Sequence, residues 1–172
     1  MSQTHIQAAD DSATRDRLNP YARFLGAAEP LEILRSTAAT LTTLISDASS
    51  EQLVRRPAAE KWSVRDILCH LADTELVFGF RLRQTVAEPH HVIQPYDQGV
   101  WANHTSAISP SEAVDAFAAI RAWNLLFIDA VGPAASPKPV THPERGLMTF
   151  GHIVETMAGH DINHTVQIRA LL

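Results

Sequence analysis

The sequence predicts an all-α fold, a four-helix bundle whose helices are joined by long crossover connections. Apolar residues recur in four separate segments with the period of an amphipathic helix. No segment alternates apolar and polar residues convincingly, as a half-buried strand would, and no internal repeat is visible. The 172 residues, of which 45% are hydrophobic, suffice for one domain with a sizeable core.

The N-terminal part of the chain is polar at first and becomes apolar around Tyr21. We expect residues 1–28 to form a partly ordered N-terminal arm, because chain termini are poorly ordered unless something holds them in place. Residues 29–172 are expected to form a single domain, the four-helix bundle.

The first helix is predicted to begin at Pro30, since proline suits the first helical position. Its apolar stripe has roughly the helical period. The stripe consists of Leu31, Leu34, Ala38, Leu41, Ile45 and Ala48. The polar residues 49–61 are predicted to end the helix and to form a connection.

The second helix is predicted to begin after Ser63, a favourable N-cap, with Asp66 in the first turn and an end near Ala87. One face carries Ile67, His70, Leu71, Thr74, Val77, Phe78, Arg81 and Leu82. The segment after Pro89 is predicted to be a long, mostly irregular crossover with one short helix at 98–104. Long loops in compact domains are often functional.

The third helix is predicted from a capping box, with Ser109 as N-cap, Pro110 at the first helical position and Glu112 at the third. It is expected to end before Gly132. Its apolar stripe consists of Val114, Phe117, Ile120, Ala122, Leu125 and Ile128.

Residues 134–148 are predicted to be a loop with a small turn at 143–146, because they are rich in proline and contain a glycine. Thr149 is predicted to cap the fourth helix. The stripe of that helix consists of Ile153, Met157, His160, His164, Ile168 and Leu171.

Composition limits the functional classes. The formal net charge of −5 argues against nucleic acid as the main partner. No apolar run is long enough to span a bilayer, and the N-terminus lacks the layout of a signal peptide. Cys69 is the single cysteine, which excludes an intrachain disulfide. We therefore expect a cytoplasmic protein that acts on a small molecule, with no nucleic-acid or membrane partner.

Histidines are the strongest chemical signal in the chain. His160 and His164 lie one turn apart on the apolar face of the fourth helix, a spacing at which one metal ion can bind both imidazoles. One hydrogen-bonded core histidine beside a half-exposed neighbour would explain this spacing as well. His70 points inward from the second helix and is the third candidate ligand. Three imidazoles leave coordination positions open, as in catalytic sites, and suit zinc, nickel, copper or iron.

Two motifs carry a resemblance to a known family. Residues 62–75 read WSVRDILCHLADTE, and residues 160–168 read HDINHTVQI. Together they resemble the DinB/YfiT-like superfamily, over roughly residues 31–172. The resemblance implies a four-helix bundle of non-sequential connectivity, a homodimer, and one divalent metal ion, most often nickel or zinc. The residues that match the metal ligands of the family are His70, His160 and His164.

The resemblance also bears on activity. Family members of known activity are mostly transferases or isomerases that use a low-molecular-weight thiol, and others are described as metal-dependent hydrolases. A metal lowers the pKa of a bound thiol or water. Because no carboxylate lies plainly on the ligand face as a general base, we favour a thiol S-transferase over a hydrolase, with no catalytic residue beyond the metal centre. A non-catalytic metal or small-molecule binder and a purely structural histidine cluster stay open.

Five polar residues near the histidines have less certain roles. Asp73 could orient a ligand, although solvated helix surface explains it equally well. Asp161 and Asn163 are expected to be exposed or to cap loops. Gln167 could reach the rim of the site. Arg81 lies about 16 Å along the helix from His70, so it could meet an anionic part of a substrate or form a salt bridge.

Cys69 is expected to be a small core residue, because adjacent helical residues do not face each other and it cannot pair with His70. Tyr96 and Trp101 could line a pocket over the metal or simply pack. The histidines expected on the surface or in loops are His90, His91, His104, His142 and His152.

Overall fold

The computed structural model describes residue 14 and residues 16–172. Four long helices dominate it, with a short hairpin before the last one. The helices are α1 (Ala22–Leu25), α2 (Pro30–Ser46), α3 (Ser50–Val54), α4 (Val64–Ala87), α5 (Gln98–Ala102), α6 (Pro110–Val131) and α7 (Phe150–Leu171). A 3-10 turn spans Pro133–Ala135, and the strands are β1 (Pro139–His142) and β2 (Gly146–Thr149).

The four long helices form the predicted bundle, and their order around it is not the order of the chain. Helix α2 packs against α6 and α7, and α4 packs against the same two helices. Consequently α2 and α4 occupy opposite corners of the bundle, although they are consecutive long helices. The prediction of an all-α bundle with crossover connections is confirmed.

Capping boxes fix the starts of four helices. In each, the N-cap hydroxyl accepts a hydrogen bond from the backbone of the third helical residue, whose side chain accepts one from the N-cap backbone. The pairs are Ser49 with Gln52, Ser63 with Asp66, Ser109 with Glu112 and Thr149 with His152. The first of these opens α3, so the prediction that residues 49–61 are only a connection is wrong.

A two-stranded antiparallel hairpin replaces the predicted loop at residues 134–148. Val140 faces Met148 across the ladder, and both side chains are buried. The turn falls where it was expected and ends at Gly146, whose φ of 81° is one that glycine adopts without strain. Strands of four residues are too short to show the alternation by which strands are recognised.

The core consists of two hydrophobic clusters with a polar layer between them. One cluster includes Phe78, Ile128 and Met157, and the other includes Phe117 and Ile168. Many of the buried polar residues of α4, α6 and α7 lie near the boundary between the two clusters. These polar residues are His70, Thr74, Glu75, Arg121, Asn124, His160, Asp161 and His164.

The described part of the N-terminal arm joins this core. Leu18, Ala22 and Leu25 are buried, and α1 packs against α7. Residues 1–13 and 15 lie outside the described part, so the expected arm of residues 1–28 is seen only from residue 14 onward. Among the described residues, no helix combines the length and hydrophobicity needed to cross a membrane.

Candidate metal centre

The three predicted ligands meet in the polar layer of the bundle. His70 on α4 and His160 and His164 on α7 form what we call the histidine cluster. One ring nitrogen from each lies within 4.8 Å of those of the other two. The Nε2 atoms of His70 and His160 are 2.9 Å apart. All three side chains are at most 5% exposed.

Local sequence explains how these side chains converge. His160 and His164 are separated by one helical turn, and their ring centroids are 4.4 Å apart. His70 follows the capping box at Ser63 by two turns, so the cap sets its height in the bundle. Trp62, just before that cap, places its ring 4.8 Å from the ring of His70.

Burial keeps the cluster uncharged. The pKa of His70 is lowered from 6.5 to about 3 by burial and by His164. Burial likewise lowers the pKa of His164 to about 4 and holds that of His160 well below 6.5. Neutral imidazoles have a free lone pair on one nitrogen, which is the form that binds a metal ion.

Two polar contacts orient the ligand rings. Nδ1 of His164 lies 2.9 Å from Oε1 of Gln167. An amide oxygen only accepts, so this contact puts the proton on Nδ1 and leaves Nε2 for a metal. Oγ1 of Thr74 lies 3.3 Å from Nδ1 of His70 and 2.7 Å from the hydroxyl of Tyr96. The sequence prediction that Gln167 reaches the site is confirmed.

Aromatic rings form the walls around His160. Tyr21 of the arm meets its ring edge-on at a centroid distance of 5.2 Å, and Phe78 does so at 5.9 Å. This approach of Tyr21 requires a glycine on α7. A Cβ at Gly159 would lie 2.7 Å from both the Cβ and the carbonyl oxygen of Tyr21. No local sequence pattern predicts this contact, since Tyr21 and His160 are far apart in the chain.

A buried set of charged side chains lies beside the cluster, and we call it the ion-pair network. Arg121 donates to Oδ2 of Asp161 and Oε2 of Glu75, each at 2.7 Å, and Asn124 donates to Oε1 of Glu75 at 2.8 Å. The two carboxylates outweigh the effect of burial and raise the pKa of Arg121.

The network corrects two predictions. Asp161 was expected at the surface, but it is 2% exposed, because Arg121 of α6 reaches it across the bundle. On α6 the predicted apolar stripe is also partly wrong, since Ala122 is exposed while Arg121 and Asn124 are buried. Pairing across the bundle lets these polar side chains occupy the inward face.

The remaining candidates lie away from the histidines. Asp73 is half-buried, and burial raises the pKa of its carboxyl group. Asn163 is half-buried as well. Arg81 forms no ion pair with a described residue; it donates to the carbonyl of Gln94 at 3.2 Å and lies over the ring of Tyr96. Cys69 is buried as predicted, and burial raises the pKa of its thiol to about 11.

One of the other histidines departs from expectation. His142 was expected on the surface or in a loop, but it lies in β1 and is 7% exposed. It accepts a hydrogen bond from the backbone N–H of Glu144, within the hairpin that the sequence did not predict. His90 and His104 are exposed, as expected.

The fold and the three inward histidines on two helices place the protein in a general class, that of helical bundles with a candidate metal centre in the core. The chain belongs to the DinB superfamily, because the model of that family matches residues 33–168. This match includes all three histidines and leaves the arm outside.

Relatives with assigned names agree with this membership. A protein of Oceanobacillus iheyensis named "Putative metal-dependent hydrolase" is 29% identical over 133 residues, which cover 76% of this chain and 77% of that protein. A protein of Bacillus mycoides with the same kind of name is 27% identical over 134 residues, covering 76% of each chain.

A solved structure supports the fold. YfiT from Bacillus subtilis, described as a probable metal-dependent hydrolase with an unusual four-helix bundle topology, superposes with a TM-score of 0.76. The superposition covers 83% of each chain at 19% sequence identity, so the likeness concerns the fold.

Proposed function

We propose that the protein is a metal-dependent enzyme in which His70, His160 and His164 hold one divalent ion, nickel or zinc. The observation that carries the proposal is the meeting of three buried, neutral imidazoles from two helices. Three such nitrogens fit a divalent ion and leave positions for a ligand. The ion would lower the pKa of a bound thiol or water.

Among reactions, we propose transfer to or from a low-molecular-weight thiol. Hydrolysis by a bound water is helped by a general base, but the buried carboxylates near the ligands in sequence are already engaged. Those of Asp161 and Glu75 accept hydrogen bonds from Arg121. That of Asp66 pairs with Arg56 and Arg65. No described carboxylate forms a hydrogen bond with any of the three histidines. A thiol that is deprotonated on binding needs no base at the moment of attack.

A metal-dependent hydrolase is the second candidate, favoured by the names of the relatives. In that case the hydroxyls of Thr74 and Tyr96, which are 2.7 Å apart, would hold the water or substrate by hydrogen bonds. Burial raises the pKa of Tyr96, so its hydroxyl would donate rather than remove a proton.

The test compares His164→Ala with His104→Ala, a matched change at an exposed histidine. Elemental analysis should find one nickel or zinc ion in the parent and in His104→Ala and none in His164→Ala. The metal-loaded and chelated proteins are then assayed with small thiols plus electrophilic acceptors, and with esters and amides. Metal-dependent consumption of thiol supports the transferase, and metal-dependent hydrolysis without thiol supports the hydrolase. Unchanged metal content in His164→Ala would refute the site.

We also propose that the protein is a homodimer and is located in the cytoplasm. Four large apolar side chains on α4 and α6 are more than half exposed, which supports self-association through this face. They are Leu76, Phe80, Trp123 and Leu126. Light scattering should give twice the monomer mass for the parent and the monomer mass for Trp123→Glu, whereas a parent that is monomeric at high concentration would refute the dimer.

A further inference from the structure

A cavity lies beside the histidine cluster and is lined by cationic side chains, whereas the imidazoles of the cluster are neutral. It measures about 590 Å³ and is bounded by several parts of the chain. The arm contributes Tyr21, α4 contributes Arg81, the crossover contributes Tyr96, and the hairpin contributes His142 and Arg145. A volume of this order accommodates a small organic molecule.

The cavity brings together two arginine side chains, one from α4 and one from the hairpin. Arg81 and Arg145 are each half-buried, and neither forms an ion pair with a described carboxylate. Nε of Arg81 is buried and has no hydrogen-bond partner among the described residues. Burial lowers the pKa of Arg81, and Arg145 lowers it further. Two guanidinium groups that repel each other in a partly buried space favour an anion between them.

The acidic residues at the edge of the cavity form no salt bridge with these cations, although Glu144 partly offsets the lowering of the Arg145 pKa by burial. Oδ1 of Asp97 accepts hydrogen bonds from the backbone N–H groups of Gly99 and Val100, and so it caps α5. Glu144 is exposed to solvent and lies beyond salt-bridge distance of Arg145. Because exposed groups line its edge, the cavity reaches the surface.

Two tyrosines connect the cavity to the histidine cluster. Tyr21 lines the cavity with one part of its side chain and meets the ring of His160 edge-on. Tyr96 lines it as well, and its hydroxyl contacts Thr74, which in turn contacts His70. A molecule in the cavity is therefore separated from His160 by one side chain, Tyr21, and from His70 by two, Tyr96 and Thr74.

We propose that this cavity binds the anionic end, a carboxylate or a phosphate, of the small molecule whose other end reacts at the histidine cluster. The part of this inference that concerns a reaction at the histidine cluster rests on the proposed function. Arg81 and Arg145 would bind the anion by charge-assisted hydrogen bonds, and Tyr96 would hold the connecting part of the molecule. The substrate class is thus an acidic small molecule rather than a neutral one.

The test uses metal-free full-length protein, so that an anion cannot bind to a metal instead. Succinate, inorganic phosphate and the neutral succinamide are titrated while backbone amide NMR shifts are recorded. We expect saturable shifts at Tyr21, Arg81 and Arg145 with at least one of the two anions and none with succinamide. The tighter of the two anions identifies the group that the cavity prefers.

Variants make the assignment specific. Arg81→Gln and Arg145→Gln, made separately, should each weaken binding about tenfold, because each removes charge-assisted hydrogen bonds. Arg35→Gln, a change at an exposed arginine paired with Asp129, should bind like the parent. Circular dichroism shows whether each variant is folded. If one of Arg81→Gln and Arg145→Gln is misfolded, the affinity of the other tests the assignment.

The possible failures are distinguishable. No saturable binding of either anion, shifts away from the cavity, or equal affinity in a folded Arg145→Gln would overturn the inference. Anion binding at Arg81 and Arg145 in a protein that never retains nickel or zinc would leave the anion site standing and refute the metal enzyme.

Discussion

The histidine cluster lies on α4 and α7, and the ion-pair network lies on α4, α6 and α7; these two neighbouring polar regions are both buried, but for different physical reasons. His160 belongs to the first and Asp161, the next residue, to the second. The network surrounds a guanidinium with two carboxylates, and Nε of Arg121 is the one atom of its side chain left without a described partner. The cluster brings together three groups of the same kind, and one nitrogen–nitrogen contact of 2.9 Å links them.

This difference separates a structural element from a binding site. A buried charge is tolerated when groups of opposite charge surround it, and the network then fixes how the helices pack. Three neutral imidazoles hold no such charge and have lone pairs that a cation can use. We therefore expect changes in the network to affect folding and changes in the cluster to affect metal binding.

The largest effect is expected from Arg121→Met, which would leave Asp161 and Glu75 buried without a cation. Removing one partner of a buried ion pair costs about 3–5 kcal/mol. Urea unfolding should show this loss in the free energy of unfolding. Arg35→Met, the exposed control paired with Asp129, should lose about 1 kcal/mol or less. A similar loss in both variants would mean that the network does not stabilise the fold.

Metal binding should have the next largest effect, and it should depend on the cluster alone. Nickel or zinc at about 100 times its dissociation constant should raise the free energy of unfolding by about 2.7 kcal/mol. In His70→Leu the metal-free protein should fold, because an apolar residue suits this buried position, but the metal should add almost nothing. Equal stabilisation of His70→Leu would place the metal elsewhere.

Acid should destabilise the metal-free protein through the cluster. The unfolded chain binds protons on these histidines below about pH 6.5, while folded His70 and His164 resist them until about pH 3 and 4. Unfolding therefore takes up protons in this window, and stability falls as pH decreases from 6.5 towards 4. We expect a loss on the order of 2 kcal/mol between about pH 6.5 and 5.5, measured by denaturation at several pH values.

The control is the double variant His70→Leu and His164→Leu, in which two of the groups responsible are removed. Its stability should change less than that of the parent over the same pH window. An identical pH profile would show that other groups cause the acid sensitivity.

The smallest effect is expected from Gln167→Ala, which removes the partner of His164 Nδ1. Loss of a residue that orients a metal ligand should weaken metal binding about tenfold, with little change in metal-free stability because Gln167 is exposed. Calorimetric titration measures the affinity, Gln167→Glu should restore it, and Arg169→Ala on the same helix is the control. Unchanged affinity in Gln167→Ala would mean that the contact does not orient the ring.

Local signals explain the parts of the fold that the sequence predicts. The caps at Ser63, Ser109 and Thr149 are visible within a few residues of the chain, and the long helices start where they indicate. The same signal at Ser49, with Gln52 three residues later, would have identified α3. The hairpin lacks any comparable signal, because both strands are four residues long and the first begins with Pro139.

The residues of the site also fall into those that local sequence patterns predict and those that depend on contacts between distant parts of the chain. One-turn spacing and an apolar stripe predict that His160 and His164 point inward. The face that His70 shares with Ile67 and Phe78 predicts the same for His70, and the resemblance implies that all three are metal ligands. The ion-pair network depends on contacts between residues 40 or more positions apart, such as Arg121 with Asp161. A polar residue on α6 is predicted to be exposed as long as its buried partner is unknown. Tyr21 is missed for the same reason.

The glycine at position 159 has a consequence for rates. It lets Tyr21 lie against His160, and Tyr21 belongs to a part of the chain outside the family match of residues 33–168. Anything that leaves the cluster on this side must wait for the arm to detach locally. We expect Gly159→Ala, whose methyl group would lie 2.7 Å from Tyr21, to shorten the residence time of a bound ion. We therefore expect the absence of a side chain at Gly159 to slow the exchange of a bound ion at this centre.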